Sequence, residues 1–125
     1  MIVRYVGDLP AYHKRLTAGA AYVVIAMSAE NNGSTRLLLL DDRSEPTWCE
    51  SGHLDLVSAE VPSTWRVRAG HYGNCGSLDV GPAPFLEPGF LEAYWGDGDE
   101  AALEVQEIFR QEVTIIVEEA GGPPS

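Results

Sequence analysis

Residues 16–42 read LTAGAAYVVIAMSAENNGSTRLLLLDD, and the fold class turns on them. Tyr22 to Ser28 is an apolar run rich in β-branched and aromatic residues, and Leu37 to Leu40 is four consecutive leucines. Between them stands Asn32-Gly33, a pair that tolerates the positive φ angles of a tight hairpin turn. The stretch therefore predicts two antiparallel strands. Successive strand residues point to opposite faces, so an all-leucine strand must be covered on both, or must pass from a barrel wall into a cap.

Outward from this hairpin the pattern stays β. MIVRYV is a short first strand or extended arm, followed by a turn at Gly7-Asp8 and Pro10. Asp41-Asp42 to Pro46 is a turn whose two carboxylates are expected to point apart and cap it. TWCE at 47–50 is a short strand. SGHLDLVSAE reads as a turn and a strand with Leu54, Leu56 and Val57 inside, ended by Pro62-Ser63. Trp65, Val67 and Ala69 alternate with Arg66 and Arg68 as a half-exposed strand. GHYGNCGS at 70–77 reads as loop, and SLDV as a brief strand ended by Gly81-Pro82.

At Pro84 the period changes. Pro88 suits a first helical turn, and GFLEAYW makes a short helix stopped by Gly96. Asp97 or Asp99 can cap a second helix over roughly 99–119. Its stripe is Ala102, Val105, Phe109, Val113 and Ile116, widened by Leu103 and Ile108. VTIIV at 113–117 is β-prone, so helix and a last strand both stay open there. The expected fold is α+β, mainly β: a small barrel of 5–6 short antiparallel strands capped by one short and one longer helix. Residues 1–120 are read as a single domain, with 16–82 the barrel, 83–119 the helical extension and 121–125 a disordered tail.

Charge divides the chain in the same place. Of 125 residues, 19 are acidic and 8 basic, a net charge of −11. Residues 1–86 hold nine acids and seven bases, whereas 87–119 hold ten acids and only Arg110. So strong a negative field repels phosphate backbones and draws basic partners, which argues against direct nucleic-acid binding. No apolar run approaches the ~20 residues of a membrane span, and MIVRYVGDLP lacks the apolar core of a signal peptide. A cytoplasmic location is expected, with neither membrane nor nucleic acid as partner.

Gly19-Ala20-Ala21-Tyr22 leading into the hairpin, its Asp41-Asp42 end, and PTWCESGHLDLVS after it resemble the opening of small SH3-like barrels. The likeness covers about residues 16–60. No ALYDY-like motif is present, so proline-peptide recognition is not implied. The remainder, from PSTW to GPAPFLEPGFLEAYWGDGDEAA, resembles a C-terminal extension on small bacterial proteins of the kind encoded beside polymorphic toxins. That likeness implies an immunity protein: a cytoplasmic, acidic, non-catalytic domain that plugs a toxin.

Three constellations carry candidate chemistry. Cys49-x3-His53 and His71-x3-Cys75 form a formally complete tetrahedral zinc set, against the plainer reading of Cys49 as a small buried hydrophobe. A disulfide between the cysteines fits parity, but a reducing compartment argues against it. No G-x-S-x-G elbow, no phosphate-cradling glycine loop and no signature around His13, His53 or His71 supports catalysis, so neither enzyme activity nor a cofactor is expected. The third is the run Phe85 to Gln106, where acids and aromatics mix. Phe85, Leu86, Phe90, Leu91 and Tyr94 can seal an open barrel end. Glu87, Glu92, Tyr94, Trp95, Asp97, Asp99, Glu100 and Glu104 have the composition of an aromatic anchor inside an acidic footprint, suited to a basic protein partner such as a toxin domain. The alternative is an SH3-like assembly module, and the oligomeric state stays open. Trp48 and Trp65 can each line a groove or enter the core.

Overall fold

The computed structural model describes residues 1–122 except His13, Gly73, Asn74 and Asp97, and leaves out the side chains of Ala11, His71, Tyr72 and Cys75. The predicted hairpin is present as β2 (Ala21–Glu30) and β3 (Thr35–Leu40). Gly33 takes φ 94° in the turn, Glu30 N donates to Ser34 O at 2.8 Å, and Asn32 Oδ1 accepts from Ser34 N at 2.9 Å. Leu38 and Leu39, neighbours on opposite faces of β3, are both almost wholly buried. The leucine run is therefore covered on both sides, as its composition requires.

β2 is the organising strand. Val24 faces Leu39 but Ala26 faces Leu38, so one extra residue, Ile25, is inserted and the inward and outward positions exchange there. The first half of β2 pairs with β1 (Ile2–Tyr5) through Ile2–Val23 and Val3–Tyr22. The second half pairs along that same edge with β7 (Cys75–Pro82) through Met27–Val80 and Ser28–Asp79. β4 (Pro46–Glu50) lies outside β3, β5 (Leu54–Ser58) outside β1, and β6 (Trp65–Tyr72) outside β7, every pairing antiparallel.

The class is α+β; among the described residues there are seven strands rather than five or six, and the sheet does not close into a barrel. Among the described residues β4, β5 and β6 each pair on one side only, so β2 branches the sheet into two wings. Of the expected loop at 70–77, residues 70–72 belong to β6 and 75–77 to β7, 73 and 74 lie outside the described residues, and Gly81-Pro82 belong to β7. Glycines read locally as breaks, yet here they answer close approaches. A Cβ on Gly81 would stand 2.9 Å from that of Ala26, and one on Gly70 would strike the Asp79 carboxylate.

Helices α1 (Phe90–Tyr94) and α2 (Glu100–Glu119) follow a 3-10 turn at Ala83–Leu86. Gly89, at φ 80°, opens α1, so Pro88 precedes the helix rather than entering it. Asp99 caps α2, its Oδ1 accepting from Ala102 N at 2.6 Å. Residues 113–117 are helical: Val113 and Ile116 sit on the stripe with Ala102 and Phe109, and that periodic burial overrides the β propensity of VTIIV. Val105 and Ile108 are half-buried, while Leu103 is exposed. α2 packs on β2, and Phe85 stacks on Phe90 (5.5 Å) and on Phe109 (5.4 Å), joining the helices to the sheet in one apolar cluster. Leu56 and Val57, expected inside, are exposed, since β5 is an edge strand that pairs only with β1 among the described residues. Gly121 and Gly122 finish α2 with bonds to Glu118 O and Val117 O, and 123–125 lie outside the described residues. No helix among the described residues is long and apolar enough to cross a membrane.

Candidate functional site

Residues directly opposite each other in antiparallel strands share a face of the sheet. Following the registers across β4, β3, β2, β7 and β6 gives one polar row: Glu50, Arg36, Ser28, Asp79, Arg68. It exists only because the Ile25 bulge turns Ser28, and not Met27, to this face. Beside it the side chains are small: Ala26, Ser77 and Gly70. A row of small residues between large ones makes a trough, and a groove of about 680 Å³ runs there between the sheet and the α1 segment. Trp48 and Arg36 line one part of it; Glu87, Leu91, Glu92 and Trp95 line another.

The charges in this groove are individually placed. Arg36 Nε meets Glu30 Oε1 at 3.2 Å, and the Arg36 guanidinium lies 4.8 Å from the Trp48 ring centre. Asp79 Oδ1 accepts from Ser28 Oγ at 2.8 Å and from Ser77 Oγ at 3.1 Å. Arg68 Nη1 donates to Leu86 O at 3.0 Å and lies 3.6 Å from Glu87 Oε2, which ties β6 to the turn before α1. Trp95 is 50% exposed. It makes an edge contact with Tyr94 at 4.9 Å, and the Arg15 guanidinium stands 5.4 Å from its ring centre. Arg15 is in turn held by Asp41 at 3.0 Å, so the exposed indole is fixed from behind by a chain of contacts reaching the β3 end.

The eight residues expected to meet a partner do not share one place. Glu87, Glu92 and Trp95 come together at the groove, the first two strongly exposed. Tyr94 turns inward onto Phe109 at 4.7 Å, and burial, followed by the charges of Glu45 and Asp41, raises its phenol pKa above the ordinary value. Asp99 is engaged as the α2 cap, and Glu100 and Glu104 stand exposed on the first turns of that helix. Asp97 lies outside the described residues.

The remaining candidates have structural surroundings. Asp41 and Asp42 point apart. Buried Asp41 accepts from Arg43 N, Glu45 N and Thr47 Oγ1, while Asp42 accepts from Tyr22 Oη at 2.7 Å and Thr17 Oγ1 at 2.8 Å. Cys49 is buried, and desolvation pushes its thiol up to about 11. His53 Nδ1 pairs with Asp8 Oδ1 at 2.8 Å. The other half of the zinc set, the side chains of His71 and Cys75, lies outside the described residues, as does His13. Of the tryptophans, Trp65 is core and Trp48 lines the groove.

Sequence reasoning missed Ser28, Arg36, Arg68, Ser77 and Asp79 as a group. Within its own strand each is a polar residue with no local signal linking it to the others, and only the cross-strand register joins them. Comparison with models of protein families, with curated proteins and with solved structures finds no match to the chain.

Proposed function

We propose that this chain is a non-enzymatic binding protein that occludes a basic partner, an immunity or antitoxin-like inhibitor of a basic toxin domain, through the acidic and aromatic surface at Glu87, Glu92 and Trp95. The observation that carries the reading is the half-exposed Trp95, braced by Tyr94 and Arg15 and set at a groove between exposed carboxylates. A large aromatic held rigid at a polar rim loses little entropy when covered, which is how interface anchors work. The helical extension supplies the field: 87–119 carries ten acids and one base. Arg110 is paired to Glu107 within α2, so it leaves the surrounding acids uncompensated. Carboxylates placed where a substrate's phosphates would lie block a basic active site sterically and electrostatically, and association is fast at low salt.

The test is a variant carrying Glu87, Glu92, Glu100 and Glu104 as Gln, compared with wild type for binding to basic proteins encoded beside its gene. Association weakened about 100-fold at low salt, with the gap narrowing as salt rises, supports the reading. Association unchanged by the four amides ends it. A second reading, an assembly module joined through strand edges, is favoured by the open edge of β6, where Val67 and neighbouring Leu78 are exposed. It expects self-association that depends little on ionic strength, which light scattering measures.

A further inference from the structure

The groove contains a carboxylate whose charge is left over. Arg68 stands directly opposite Asp79 in the β6–β7 ladder and is its natural counter-ion. Its guanidinium is instead turned to Leu86 O and Glu87. Arg36, the other cation of the polar row, is engaged by Glu30 and stacked on Trp48. Asp79 is meanwhile held in a fixed orientation by two hydroxyls, both on Oδ1. Its Oδ2 lies over Gly70, in space that any Cβ would occupy, and accepts no hydrogen bond among the described residues. The hydroxyl bonds orient the carboxylate but bring no positive charge to it, so the charge remains to attract a cation.

We propose that the groove is a socket for an arginine or lysine side chain borne on an extended segment of a basic protein partner, with Asp79 as the counter-ion. The proposal rests on the reading that the partner is basic and names where one of its cations goes. Trp48 and Trp95 line the same groove, and each already holds a guanidinium of this chain, Arg36 and Arg15, near its ring, the contact that aromatic surfaces make with such cations. Glu92 adds an exposed carboxylate at the same groove, and the small residues Ala26, Ser28, Gly70 and Ser77 leave depth for a long side chain. At about 680 Å³ the groove also has room for backbone on either side of that residue.

The probe is the peptide acetyl-Gly-Arg-Gly-Arg-Gly-amide, titrated into the isotope-labelled full chain beside its citrulline counterpart, which keeps the shape and removes the charge. The indole N–H signals of Trp48 and Trp95 report the groove, and the backbone amides of 100–107 report the acidic helix. The arginine peptide is expected to move both indoles and to bind at least about 10-fold more tightly than the citrulline peptide. Asp79→Asn keeps an acceptor for the two hydroxyls, so it is expected to retain the melting temperature while losing about 10-fold in affinity. The citrulline comparison uses the wild-type chain and stands even if that variant fails to fold. Equal affinity for the two peptides, equal affinity of Asp79→Asn and wild type, unmoved indoles, or no binding each overturn the socket. Shifts confined to 100–107 overturn it while leaving the acidic-surface reading in place. That reading falls separately, when the four amide substitutions leave the protein partner bound.

Discussion

The two halves of β2 differ in burial and pairing, although they belong to one strand. Tyr22 to Ala26 are buried on both faces, with β1 on one edge, β3 on the other and α2 packed over the strand. Met27 to Glu30 pair with β3 and β7, and Ser28 faces the groove and holds Asp79. The bulge at Ile25 separates them. One inserted residue lets a single strand contribute to a sealed core and, a few residues later, to a polar trough, because it exchanges which positions face which side. The lesson is that the sealed core and the polar groove proposed for recognition lie at opposite ends of one element, not in separate domains.

That division is open to attack by substitution. Leu39→Ala, at the sealed end, removes a wholly buried side chain and is expected to lower the unfolding free energy by about 3 kcal/mol. Ser28→Ala, at the open end, removes one of two hydroxyl bonds to a half-exposed carboxylate and is expected to cost about 1 kcal/mol or less. Urea unfolding of the two variants measures both, and comparable losses would erase the distinction. Next in size is Asp99→Ala, which deletes the cap of the helix covering the sealed half. About 1 kcal/mol is expected, read in the same titration and as lost amide protection at 100–103.

The smallest effect is at the far end of that helix. Glu119 accepts from both the backbone N and the Oγ of Ser63, and these bonds hold its pKa below the ordinary 4.5. A carboxyl lowered in the folded state contributes stability above its unfolded pKa and loses it as pH falls through the folded value. Acidification through this lowered value, on the acid side of 4.5, is therefore expected to loosen the last turn of α2 before the sheet, with Glu119→Gln showing no such step. Hydrogen exchange at 116–120 across that range measures it. Loss of sheet protection at the same pH would show that the clasp and the sealed half open as one unit.

Much of the fold was legible because it follows from local chemistry. Asn32-Gly33 admits few alternatives between two apolar runs, and the 3.6-residue stripe from Ala102 to Ile116 stood out although VTIIV favours strand. The misreadings share a cause. Gly70 and Gly76 looked like loop, Leu56 looked buried, and Asp79 looked like one more acid, because each takes its role from its place in the sheet and not from its neighbours in sequence. At the candidate site, composition singled out Glu87, Glu92 and Trp95, and these three line one groove. Tyr94 and Asp99 had the same composition but satisfy the fold instead, and a side chain's direction is not written in its neighbours.

By itself, then, the sequence determined an α+β chain: a leucine-rich hairpin at its centre, a near-neutral body and an acidic helical end. These depend on periodicity and charge, which are properties of short stretches. Only the tertiary structure decided that the sheet branches at Ile25 rather than closing, and that Glu50, Arg36, Ser28, Asp79 and Arg68 form one row. Register between strands is set by packing of the whole core, and a shift of one residue would turn every member of that row to the other face.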